Sequence, residues 1–248
     1  DFILISHAHG DHYFGLIGLI STYSLLRRKN KLKLFCPRVV SDIINAQMKI
    51  SSMFLSYELE IIELNSKKSV KIYESNDFSI FTIPLKHSIY SNGFLFQEKN
   101  NKRKLNLDLA QKFNINKVYY KKLTQGENVF NEKGEEIDFR EVTSEGIKNK
   151  LYAFCSDTTY FPNIIKKISH ANLLYHESTF LEKDREKAKL TWHSTAKDAA
   201  KIARDAKVDK LIIGHFSSRY ENLDLFINEV KQIFQNVELA FDGKDIDI

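Results

Sequence analysis

Asp1-Phe2-Ile3-Leu4-Ile5-Ser6-His7-Ala8-His9-Gly10-Asp11-His12 is the stretch on which the reading of this chain turns. Phe2–Ser6 is a short apolar run suited to a buried strand, and it ends abruptly in polar residues. The pattern His-x-His-x-Asp-His places three of the chain's eight histidines within six residues. Alternation at the end of a strand turns His7 and His9 to one side. A turn at Gly10 carries Asp11 and His12 toward a second position. Imidazole and carboxylate are ligands that suit Zn²⁺. A run of surface histidines is the plain alternative, and the aspartate and the preceding strand argue against it.

The same arrangement recurs along the chain. Phe81–Lys86 runs into His87, Tyr152–Ser156 into Asp157, Leu173–Tyr175 into His176-Glu177, and Leu211–Gly214 into His215. In α/β sheets, loops converge over the ends of strands, so these residues are expected to meet. Further strands are expected at Leu32–Phe35, Leu59–Leu64, Val70–Tyr73, Phe78–Leu85, Phe94–Gln97, Leu151–Ser156 and Val237–Phe241, with Asn76-Asp77 as a turn. Helical spacing marks Tyr13–Arg27, a helix from about Arg38 with Pro37 suited to its first position, Leu107–Phe113, Phe161–Ile168, Ser194–Ala206 with Ser194 as cap, and Leu225–Phe234. Strands interleaved with helices indicate an α/β fold.

With 248 residues, 43% of them hydrophobic and 28% charged, the chain has the size and composition of a globular domain. No apolar run approaches the ~20 residues that a bilayer requires. Cys36 and Cys155 stand alone in apolar runs, which excludes a disulfide framework or thiolate zinc site and suits buried thiols in a reducing cytosol. The chain begins at Asp1, already inside a strand, so residues before it are expected. Charge is concentrated rather than spread. Between Lys99 and Lys122, eight basic residues (Lys99, Lys102, Arg103, Lys104, Lys112, Lys117, Lys121, Lys122) face the single acid Asp108, a net +7 that leaves −2 for the remainder. Such a block favours an anionic partner, a solvated loop being the alternative. Residues 99–149 lack long periodic segments and read as an inserted arm.

The histidine motif resembles the signature of the metallo-β-lactamase superfamily. That resemblance implies an αββα sandwich, here with an inserted basic arm and with N-terminal strands preceding Asp1. It also implies two zinc ions, one held by His7, His9, His87 and Asp157 and the other by Asp11, His12, Asp157 and His215, with Asp157 bridging. Further segments are similar to the short form of ribonuclease Z: Phe14–Leu19, His176-Glu177-Ser178-Thr179-Phe180, Trp192-His193-Ser194-Thr195, and His215-Phe216-Ser217-Ser218-Arg219-Tyr220. Lys122–Glu127 is similar to the end of that family's arm, whereas Asn114–Tyr120 lacks its glycine-proline element.

The resemblance implies a zinc-dependent endoribonuclease that cuts precursor transfer RNA just 3′ of the discriminator nucleotide and leaves a 3′-hydroxyl. Asp11 is then expected to orient the attacking water. His193 is the expected proton donor to the leaving 3′ oxygen, with Glu177 holding its imidazole. Arg219 and the arm's Lys102, Arg103, Lys104, Lys117, Lys121 and Lys122 are the expected RNA contacts. A homodimer in the cytoplasm, with no membrane association, completes the expectation. A hydrolase of a small phosphodiester or thioester, and a non-catalytic RNA-binding scaffold, are the alternatives on the same fold.

Overall fold

The computed structural model describes residues 1–99, 102–146 and 149–248; Asn100, Asn101, Ile147 and Lys148, all within the expected arm, lie outside them. Two compact units are present. The larger comprises Asp1–Tyr73, Ile80–Phe96 and Leu151–Ile248, and the smaller comprises Glu74–Ser79 and Gln97–Lys150.

In the larger unit, β1 (Phe2–Leu4), β2 (Leu32–Pro37) and β3 (Leu59–Leu64) form a parallel three-stranded sheet. β2 reads Leu-Lys-Leu-Phe-Cys-Pro and is buried at every residue but Lys33, as expected of a central strand covered on both faces. Helices α1 (Leu16–Leu25) and α2 (Arg38–Ile50) supply Leu16, Ile20, Val40 and Ile44 to the core around Leu32, Leu34 and Cys36. On the sheet, the Phe2 ring lies 6.4 Å from Phe35 and 5.1 Å from Tyr73, centroid to centroid.

Tyr73 belongs to β4 (Lys71–Glu74), which is the edge strand of a seven-stranded sheet. Next to it run β5 (Phe78–Pro84), β6 (Asn92–Glu98), β7 (Leu151–Cys155), β8 (Leu173–Glu177), β9 (Lys210–Gly214) and β10 (Val237–Leu239), in that order. The four strands from β7 to β10 are parallel. After α3 (Arg185–Thr191), α4 (Ala196–Asp205) and α5 (Asp224–Lys231) complete this half. Ala196, Ala199, Ala200 and Ala203 join Ala153, Leu174, Leu211 and Ile213 in one core. With no side chain beyond Cβ, these alanines let the helix approach the sheet closely.

Three expectations are corrected. Phe161–Ile168 is not a helix: Pro162–Ile164 is a single 3₁₀ turn, followed by turns up to His170 in the left-handed region (φ 58°). The apolar spacing is met because Ile164 and Ile168 reach the core from this short coil. The cap of α4 is Thr195 rather than Ser194; Thr195 Oγ1 accepts from Asp198 N while the Asp198 carboxylate accepts from Thr195 N. This capping box satisfies two helix-end donors at once, and it frees Ser194 to donate to Thr158 O at 2.7 Å. Pro37 caps α2 from outside instead of occupying its first turn.

The smaller unit has a core of its own, made by Ala110, Ile115, Leu123, Val129, Ile137 and Val142. Two short antiparallel pairs, Lys104–Leu105 with Thr143–Ser144 and Val129–Phe130 with Glu136–Ile137, and helices at Leu107–Lys112, Tyr120–Thr124 and Phe139–Val142 surround it. Tyr119 and Tyr120 pack against this core, while Val118 is exposed. The unit gathers acids that the basic block alone does not show: twelve basic and eleven acidic residues, a net +1.

Candidate metal centre and its glutamate–histidine pair

The loops leaving the carboxyl ends of β1, β5, β7, β8 and β9 meet. β1 ends at Leu4, and Ile5–His9 continue extended into a 3₁₀ turn, Gly10–His12. A Cβ on Gly10 would fall 2.3 Å from the Phe14 ring, so glycine suits this turn. His87 follows β5, Asp157 follows β7 and His215 follows β9.

Two donor sets result. His7, His9, His87 and Asp157 offer ligand atoms that lie within 4.8 Å of one another, as do those of Asp11, His12 and His215. Asp157 stands between the sets, with Oδ2 3.4 Å from His7 Nε2 and 3.3 Å from His12 Nε2, and Oδ1 3.4 Å from His215 Nε2. All seven residues expected as ligands are therefore brought together, and His193 adjoins them, grouped with Asp157 and His215.

Protons alone do not satisfy this cluster. His9 Nδ1 lies 3.1 Å from both His7 Nε2 and His87 Nε2, and it holds at most one proton to share between them. His87 Nδ1 sits 2.8 Å from Trp192 O, which can only accept, so the neutral ring carries its proton there and points a lone pair inward. His12 Nε2 and Asp157 Oδ1 are buried without a hydrogen-bond partner. Orphaned buried groups are costly, and a cation answers all of them. Burial holds the His7 and His87 imidazoles below their ordinary range, favouring the neutral form that ligates metal. Burial also opposes charge on Asp157, but the His12 and His7 imidazoles beside it and the charge of His215 outweigh it, so the carboxyl is held well below the usual range. The donor set fits a metal cofactor.

Beside the cluster, Glu177 is fully buried and fully engaged. Its Oε1 accepts from Thr158 N (3.1 Å), Ser194 N (3.0 Å) and His193 Nδ1 (2.9 Å), and its Oε2 accepts from Thr179 N (3.0 Å) and Thr179 Oγ1 (2.9 Å). No lysine is among these partners. Although burial disfavours a charged His193, the hydrogen bond and charge of Glu177, with Asp157 and Asp11, raise its pKa.

Thr179 was not singled out by sequence reasoning, although it lies within the His176–Phe180 segment. Its hydroxyl donates to Glu177 Oε2 and so accepts from His215 Nδ1 at 2.9 Å, with His193 Nδ1 3.2 Å away. It thereby turns the His215 Nε2 lone pair toward the cluster. His215 itself adopts φ 62°, a region that bulky side chains seldom occupy. No sequence signal marks that backbone state, or the role of the Trp192 carbonyl.

The expected RNA contacts fare unevenly. Lys102, Lys104, Lys117, Lys121 and Lys122 are exposed. Arg103 is turned into its own unit, donating from Nε to Thr143 Oγ1 at 2.7 Å and lying over the Phe139 ring. Arg219 is exposed, steered by Ser217 Oγ at 3.0 Å and stacked 4.9 Å from the Phe180 ring centre.

The chain is similar to known proteins. A family model described as a beta-lactamase superfamily domain matches residues 1–120. Ribonuclease Z of Porphyromonas gingivalis is 37% identical over 246 residues, covering 99% of this chain and 81% of the relative. Ribonuclease Z of Cytophaga hutchinsonii is 41% identical over 235 residues, covering 94% and 75%. The chain belongs to the ribonuclease Z family. Among solved structures, human tRNase Z, short form, superimposes with a TM-score of 0.66 at 23% identity, covering 100% of this chain and 78% of that one. The long-form RNase Z from yeast gives 0.65 at 16% identity, covering 98% and 32%. These likenesses establish the metallo-β-lactamase fold.

Proposed function

We propose that this chain is a cytoplasmic, homodimeric endoribonuclease that holds two zinc ions and cuts precursor transfer RNA 3′ of the discriminator nucleotide. His7, His9, His87 and Asp157 would hold one ion, and Asp11, His12, Asp157 and His215 the other. Bound there, the ions supply Lewis acidity toward water and the phosphate oxygens. The observation that carries the reading is the pair formed by buried Glu177 and partly exposed His193, set 2.9 Å apart at the edge of the ligand cluster. A ligand cage alone suits many hydrolases. A histidine whose protonated form is supported by a buried carboxylate suits a reaction with a poor leaving group.

The roles follow from the donors. Asp11, whose side chain is 67% exposed, meets solvent and orients the attacking water from the open side. His193 gives its Nε2 proton to the departing 3′ oxygen while Nδ1–H stays on Glu177, whose remaining bonds prevent it from turning away. Bond cleavage thus leaves a 3′-hydroxyl on the transfer RNA and a 5′-phosphate on the trailer. The exposed lysines of the smaller unit and Arg219 serve as phosphate contacts. Two relatives named ribonuclease Z and the absence of any helix long and apolar enough to cross a membrane, among the described residues, support the reading. The test is a precursor transfer RNA with a 3′ trailer, incubated with the purified protein, followed by metal analysis of the protein and mapping of the product ends. Cleavage at another position, or none by protein carrying its full metal, would overturn the proposal.

A further inference from the structure

Trp192 does two unrelated things. Its main chain closes α3 in the left-handed conformation (φ 60°, ψ 40°) and presents the carbonyl that accepts from His87 Nδ1. Glycine is the usual occupant of such a terminus and presents the same carbonyl without a Cβ penalty. The backbone task therefore gives no reason for a large side chain. Yet this residue is the chain's sole tryptophan, and it is 40% exposed.

Its surroundings suggest what the indole is for. Lys86 Nζ lies 5.9 Å from the ring centre, and Lys86 is itself exposed. The two residues are chain neighbours of His193 and His87, so a flat π surface and a cation are delivered together to the border of the cluster. A groove of about 490 Å³ continues from Lys86 and His87, lined also by Lys67, Ile89, Tyr90 and Phe161. An aromatic face beside ammonium groups is the combination that holds an unpaired nucleotide, base on ring and phosphate on cation.

Building on the ribonuclease reading above, we propose that Trp192 and Lys86 seat a nucleotide flanking the bond that is cut, the base stacking on the indole and its phosphate meeting the ammonium. Neither residue touches the reacting atoms; both position the strand.

The experiment compares wild type, Trp192→Gly, Trp192→Phe and Lys86→Gln on precursor transfer RNA, with thermal melting of each protein. Losing the ring is expected to raise KM about 5- to 30-fold, with a smaller change in kcat, the range that base stacking on an aromatic side chain spans at its lower end. Trp192→Phe is expected to recover most of that loss. Trp192→Gly is expected to melt no lower than wild type, because glycine relieves the left-handed backbone. Lys86→Gln is expected to lower the slope of log affinity against log salt by up to about 0.9. Because the protein has one tryptophan, its emission reports directly: adding mature transfer RNA or the trailer oligonucleotide is expected to quench it.

An unchanged KM in Trp192→Gly, emission indifferent to both RNAs, or a lowered melting temperature that Phe repairs without repairing KM would each overturn the proposal while wild type still cleaves. Failure of wild type to cleave would instead count against the ribonuclease reading, and is seen first.

Discussion

The two halves of the ligand cluster are built differently. In the inner half, the His7, His87 and Asp157 side chains are 0%, 1% and 3% exposed, and His9 alone is partly exposed. In the outer half, Asp11, His12 and His215 are 67%, 17% and 28% exposed. The inner set is held by packing: Ser6 Oγ at 3.0 Å from His7 Nδ1 and the Trp192 carbonyl on His87 fix its rings. The outer set rests on fewer supports, chiefly Thr179 on His215, and opens toward solvent. The difference teaches a division of labour. A cation held in the inner set would be caged, whereas the outer set faces solvent.

Asp157 belongs to both halves, so Asp157→Ala is expected to have the largest effect, abolishing cleavage and leaving the protein nearly free of metal. A variant that kept two equivalents would show that the carboxylate does not join the halves. His193→Ala comes next: cleavage is expected to fall about 10²- to 10⁴-fold, the usual contribution of a positioned acid, with the metal content kept. Loss of metal from that variant would make His193 a ligand, as its grouping with Asp157 and His215 permits. Thr179→Val should then weaken metal binding by about 10- to 100-fold at the outer position alone, with Thr179→Ser restoring it. Equal weakening at both positions would erase the contrast.

The smallest effect lies in the scaffold behind His193. Arg185 binds Glu182 through Nε at 2.6 Å and Asp198 through Nη2 at 2.8 Å, next to the Thr195 cap. Hydrogen bonding to Arg185 holds the Glu182 carboxyl below its usual range. A depressed carboxylate stabilises the fold above its unfolded pKa, about 4.3, and this stabilisation is lost as pH falls through that value and below. Glu182→Gln is therefore expected to cost about 1 kcal/mol at neutral pH and to flatten the acid side of the stability curve. An unaltered acid limb in urea melts would dismiss this contribution.

Residue order carried a good deal. Strands ending in His7, His87, Asp157 and His215 are readable because apolar runs of strand length stop at polar residues, a pattern that depends only on local burial. The basic block from Lys99 to Lys122 is equally plain. Its meaning is less plain, because acids that follow it in the same inserted stretch, Glu132, Glu135 and Glu136 among them, offset most of its charge within the compact unit. Phe161–Ile168 failed as a helix for a related reason: periodic apolar residues satisfy a core from a coil as well as from a helix.

From the linear chain alone came the candidate ligands, the basic stretch and the α/β alternation, since each rests on residue type and short-range spacing. Tertiary structure decided which ring nitrogen carries a proton, that Thr179 joins His215 to Glu177 and His193, that Arg103 turns inward, and that Trp192 and His215 adopt left-handed backbones. Those outcomes depend on hydrogen bonds and contacts between residues up to 105 positions apart, and no local pattern encodes their direction.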